Sequence, residues 1–116
     1  MSVYHVRVPS ELREPTFLIL TALAGGPRHG YGVIQEVERL SQGRTRLRAG
    51  TLYAAFDRLS GEGFIEVERE EVVEGRLRRY YRLTEAGGTA LDLDSRRRMA
   101  VSKEALRRLK LSGGFA

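Results

Sequence analysis

Residues 43–59 read GRTRLRAGTLYAAFDRL. Arginines occupy every second position, Arg44, Arg46 and Arg48, and the stretch then changes to the spacing of a buried helix, with Leu52, Ala55, Phe56 and Leu59 on one face. A helix that enters the DNA major groove N-terminus first draws phosphate contacts from the residues just before it and base contacts from its first turn. On that reading Arg44, Arg46 and Arg48 hold phosphates, the helix N-terminus adds its partial positive charge, and Thr51 and Tyr53 face the bases. The bland alternative is a loop coated with arginine and a Tyr53 that caps the core. Between Arg44 and Arg58 four arginines meet one acid, Asp57, so the stretch is uncompensated and the DNA reading is favoured.

Composition sets the outer bounds. A chain of 116 residues forms one core, and 20 Lys and Arg against 15 Asp and Glu leave a formal charge of +5. That balance favours a polyanionic partner, nucleic acid ahead of an acidic lipid surface. The absence of cysteine removes disulfides, thiol catalysis and thiolate metal sites together, and suits a cytoplasmic protein. His5 and His29 stand far apart in sequence, so neither a metal nor another cofactor is expected, and no nucleophile, base and orienting acid can be assembled for catalysis. The run FLILTALA, residues 17–24, is similar to the apolar part of a signal peptide, but Glu11 and Glu14 precede it and a core helix explains it better. No segment approaches the roughly 20 apolar residues that span a bilayer, so no membrane partner is expected.

Working outward from residue 43, two helices precede it. Glu14-Pro15 starts one that runs to about Ala24, since proline in a first turn loses no hydrogen bond. Another follows His29, with Tyr31, Val33, Ile34, Val37 and Leu40 at helical spacing and Tyr31 expected in the core. The HGYG at 29–32 is similar to a glycine-rich phosphate loop, but Gln35 stands where the third glycine belongs and no strand is expected before it. His29 is expected as a surface or capping histidine. Residues 1–13 show weak alternation, Tyr4, Val6 and Val8 against His5 and Arg7, and read as an arm.

After residue 63 the period changes to two. Residues 64–70 place Ile65 and Val67 on one side, and residues 76–83 separate Leu77, Arg79, Tyr81 and Leu83 from Arg76, Arg78, Tyr80 and Arg82. Residues 71–75 make the loop of this hairpin, with Gly75 free to take a positive φ. Glu66, Glu68, Glu70 and Glu71 on the first strand would absorb much of the positive charge of the second. Arg76 and Arg78, nearest the tip, are therefore assigned to DNA, and Arg79 and Arg82 to structure. Thr84-Glu85 opens a last helix reaching about Leu111, weakened near its start by Gly87 and Gly88. Its apolar residues, among them Leu91, Leu93, Val101, Leu106 and Leu109, have no obvious partner in so small a domain, so a second copy is expected to bury them. Arg96, Arg97, Arg98, Lys103, Arg107, Arg108 and Lys110 are read as the solvated face of that helix.

The expected fold is mainly α with a β-hairpin: a winged helix-turn-helix over residues 14–83, an arm over 1–13, and a long C-terminal dimerisation helix over 84–116. In order, LREPTFLILTAL, HGYGV, GTLYAAFDRL, GEGFIE and RRYYRLTEAG resemble the PadR family of bacterial transcriptional regulators, over about residues 12–87. The resemblance implies a homodimeric repressor whose third helix and wing meet a double-stranded DNA operator, with DNA contacts near Thr51, Tyr53 and Arg76, and with a small-molecule effector sensed near the dimer interface. The single terminal helix is similar to that of the smaller members. Ala54 stands where the family commonly has proline, Phe56 and Phe64 where leucine is usual, and no tryptophan is present to stack on a ligand. The rival from another class is a winged helix whose basic surface docks an acidic protein. An RNA-binding reading is disfavoured, because no aromatic stacking platform appears on the expected strands beyond Tyr80 and Tyr81.

Overall fold

The computed structural model describes residues 12–113. Seven elements follow in order: α1 (Glu14–Ala24), β1 (Arg28–His29), α2 (Gly30–Leu40), α3 (Ala49–Gly61), β2 (Ile65–Val73), β3 (Arg76–Leu83) and α4 (Glu85–Leu111). The strands form one antiparallel sheet in the order β1-β3-β2. The arm expected over residues 1–13 lies, up to residue 11 and with His5, outside the described residues.

Three helices and the base of the hairpin share one core. Ile19, Leu20, Val33, Val37, Leu52, Phe56, Leu59 and Ile65 are fully buried, and the Phe56 ring meets that of Tyr81 with centroids 4.2 Å apart. The α3 stripe is the one its spacing predicts. In α2 the buried stripe is Gly30, Val33 and Val37, which places Tyr31, two residues and about 200° away from Val33, on the outside. Tyr31 is 65% exposed, which corrects its expected place in the core.

The sheet departs from expectation at both ends. β1 is a two-residue strand pairing Arg28 with Tyr81 and His29 with Tyr80, so a strand does lead into the HGYG segment and ends on its His29. Two residues are too few to show alternation, which is why the sequence hides it. The hairpin is also longer than expected. Glu71, Val72 and Val73 pair with Arg78, Leu77 and Arg76, and the chain reverses over Glu74 and Gly75 alone, with φ of 52° and 78°. Positive φ at both central residues is what a two-residue turn matched to the strand twist requires. Glu68 is the extra residue that bulges β2 between Val67 and Arg69.

Thr84 starts α4 by accepting the Gly87 N–H through Oγ1 at 3.0 Å, and its hydroxyl donates to the Gly63 carbonyl at 2.6 Å. Gly87 lies against the Phe64 carbonyl oxygen, where a Cβ would collide, so the glycine that weakens the helix start also lets it dock. Ala90 and Asp94 are buried, and Leu91 is half-buried against the chain's own core, a tertiary contact not foreseen for it. Arg98 is not part of a solvated face. Its guanidinium pairs with Asp94 at 2.6 Å and Glu14 at 2.7 Å, donates to the Leu12 carbonyl at 2.9 Å, and lies 4.0 Å from the centre of the Phe17 ring. Leu93, Met99, Val101, Leu106, Leu109 and Leu111 remain exposed.

Candidate nucleic-acid interface

Ser41, Gln42 and Gly43 end α2, with Gln42 and Gly43 at positive φ, and Ser41 Oγ accepts the Thr45 N–H at 3.0 Å. The following residues alternate in burial: Thr45 and Leu47 are half-buried, Leu47 against the core, while Arg44, Arg46 and Arg48 are exposed. This is the physical reason for the alternation in sequence. Arg46 Nε stands 3.7 Å from Glu38 of α2, a solvent-exposed pair that contributes about 1 kcal/mol at most. Glu38 lies outside residues 44–58, so the compensation of this stretch is weak rather than absent. Arg58 leaves the cluster altogether and donates to Thr16 Oγ1 at 3.1 Å. Among the described residues Arg44 and Arg48 form no salt bridge.

Behind these arginines α3 begins without a side-chain cap, and its first turn holds no acid. Its leading N–H groups therefore keep their partial positive charge, which suits an anion. Thr51 is exposed on that turn. Tyr53 is 48% exposed, its ring edge-on to Phe56 at 5.8 Å and its hydroxyl end over Gly30 of α2. Tyr53 thus both touches the core and presents a face to solvent, and the two readings made for it are not exclusive.

On the wing, Arg79 pairs with Glu70 at 2.6 Å and Arg82 pairs with Glu66, the cross-strand neutralisation expected of them. Arg76 and Arg78 make no salt bridge among the described residues. Tyr80 donates to Glu71 at 2.8 Å, carries Arg69 over its ring at 3.8 Å, and meets the His29 ring edge-on at 5.4 Å. His29 Nδ1 accepts the Gly32 N–H at 3.2 Å and so caps α2. Its pKa is held below 6.5 by burial first and by Arg78 second, with Glu71 pulling the other way. Through His29 and Gly30 the structure brings the Arg78 end of the wing and Tyr53 of α3 to one neighbourhood. Arg44, Arg46, Arg48 and Thr51 follow one another along the approach to α3, and Arg76 stands at the wing tip. Sequence reasoning missed the part of Gly30 and Glu38, for which no local spacing is a signal.

The Transcriptional regulator PadR-like family matches residues 19–93. The chain belongs to the PadR-like family. This PadR-like chain is 40% identical over 88 residues to the transcriptional regulator Rv3488 of Mycobacterium tuberculosis, covering 76% of this chain and 78% of that one. A transcriptional regulator from Clostridium thermocellum is 25% identical with a TM-score of 0.65, covering 80% of this chain and 89% of the other. Bacillus subtilis PadR, solved in complex with operator DNA, is 23% identical with a TM-score of 0.61; the match covers 69% of this chain and 46% of that one. These likenesses show the fold, mainly α with a β-hairpin. The family is one of transcriptional regulators and not of enzymes. Among the described residues no group of three His, Cys, Asp or Glu side chains could hold a metal, and no helix is long and apolar enough to cross a membrane.

Proposed function

We propose that this PadR-like chain is a homodimeric repressor that binds a pseudo-palindromic operator in double-stranded DNA. One observation carries the reading: an uncapped, acid-free start of α3 stands directly behind three exposed arginines. The operator complex of the distantly similar Bacillus subtilis PadR supports it. Arg44, Arg46 and Arg48 hold phosphates, Thr51 and Tyr53 meet base edges in the major groove, and Arg76 and Arg78 extend the contact from the wing. Leu93, Val101, Leu106 and Leu109 of α4 pack against a second copy, with Leu91 at the inner margin of that seam. Half-sites then lie about one helical turn apart, ~34 Å. A small-molecule effector sensed near the dimer interface belongs to the same reading.

Salt titration of the complex is the test. Neutralising about six to ten phosphates gives log affinity a slope against log salt of roughly −5 to −9. Binding that ignores salt, or a gel shift that survives scrambling of the selected site, sinks the reading. The second outcome would leave a basic module of the kind that docks an acidic protein.

A further inference from the structure

Gly30 is the first residue of α2 and is buried. Its backbone does not call for glycine, because its φ is not among the positive values found in this chain. Alanine would serve the helix better. Space is the remaining reason: a Cβ on Gly30 would overlap the hydroxyl oxygen and Cζ of Tyr53 and crowd its Cε1. The Tyr53 ring is fixed at two places, edge-on to Phe56 toward the core and over Gly30 at its outer end. Phe56 is fully buried, so the inner contact is immovable; the outer one depends on an absent side chain.

We propose that Gly30 is a positioning residue whose missing side chain is the seat that aims Tyr53 from α3 toward base edges. This rests on the operator-binding reading above. The preceding residue holds the seat in place, since His29 pairs with Tyr80 in the sheet and caps α2 through Gly32. A methyl group at 30 would push the half-exposed ring outward, because solvent is the direction in which it can yield. Base discrimination then falls while phosphate contacts from Arg44, Arg46 and Arg48 stay as they are.

Two measurements test the proposal, the first on free protein. Fluorotyrosine incorporated throughout the chain gives a fluorine resonance for Tyr53, assigned by its loss in Tyr53→Phe. Gly30→Ala is expected to shift that resonance and leave those of Tyr80 and Tyr81 in place; an unmoved Tyr53 resonance in folded protein overturns the seat. The second compares a duplex that wild-type protein selects from random-sequence DNA with a scrambled duplex of the same composition. Gly30→Ala is expected to lower preference for the selected site about tenfold, keep affinity for the scrambled one within about twofold, and add nothing in a Tyr53→Ala background. An equal loss with and without the tyrosine overturns the proposal. So does a Gly30→Ala chain that fails to fold in both backgrounds, whereas folding restored by Tyr53→Ala supports the contact. A wild-type chain that selects no sequence overturns the operator reading and the base-aiming role with it, while the fluorine shift still decides whether Gly30 seats the ring.

Discussion

His29 can accept the Gly32 amide proton only while its Nδ1 is unprotonated. Burial and, next, Arg78 depress its pKa in the folded state, so the unfolded chain takes up the proton more readily. The stabilisation is therefore complete above 6.5 and is lost as pH falls through the folded-state value. Wild-type protein should lose unfolding free energy between about pH 7 and about pH 5, and His29→Asn, which keeps an acceptor but cannot titrate, should lose less. Urea titrations at both pH values measure this, and identical losses would discharge His29. Among the residues proposed to face DNA, Arg46→Ala should weaken operator and random duplex alike, and Thr51→Ala should cost about 1–3 kcal/mol of discrimination for a lost base contact. Gel shifts against both duplexes separate the two patterns. The outward arginines were legible because Thr45 and Leu47 fill the alternate inward places. Tyr31 was not, because its helical spacing from Ile34 suits a core face, while the stripe that is buried runs through Gly30, Val33 and Val37.

Between elements, Arg98 is the brace that joins α4 to the start of α1. Its Asp94 partner is 4% exposed, and Arg98→Ala would leave that carboxylate buried and unpaired. The expected cost is about 2 kcal/mol, below the figure for a fully buried pair because a third of the arginine side chain meets solvent. Arg96→Ala, which breaks the exposed pair with Asp92, should cost less than about 0.5 kcal/mol. Chemical denaturation of the two variants checks the contrast, and equal losses would make the brace an ordinary surface pair. At the wing tip, Glu74 holds a φ of 52°, which asparagine adopts more readily. Glu74→Asn should raise stability by about 0.5 kcal/mol, seen in the thermal midpoint. Helix spans were legible from spacing, but the strand ends were not. Charged Glu71 with Val72 and Val73 reads as a loop until the partner strand supplies hydrogen bonds, and the Arg98 contacts span 84 and 86 residues of chain.

At the scale of the whole molecule, α4 runs for 27 residues, about 40 Å, and its buried positions all fall at or before Asp94. The rest presents Met99, Val101, Leu106 and Leu109 to solvent, an apolar surface suited to a second copy. Sedimentation equilibrium should give a dimer, and Leu106→Glu with Leu109→Glu a folded monomer that no longer binds operator. A wild-type monomer at all concentrations would refute the assembly. The architecture could be read from element order, three helices and then a hairpin, because each of those elements declares its period and only the two-residue β1 does not. What covers the exposed face of α4 could not, since spacing shows that a face is apolar and never its partner. β2 is one margin of the sheet, and it carries Glu66, Glu68, Glu70 and Glu71. An unguarded margin invites a foreign strand to zip alongside and seed aggregates. Here any such strand would have to strip water from four carboxylates and disturb the ion pairs of Glu66, Glu68 and Glu70. Those charges therefore guard this margin against the cross-chain pairing from which fibrils grow.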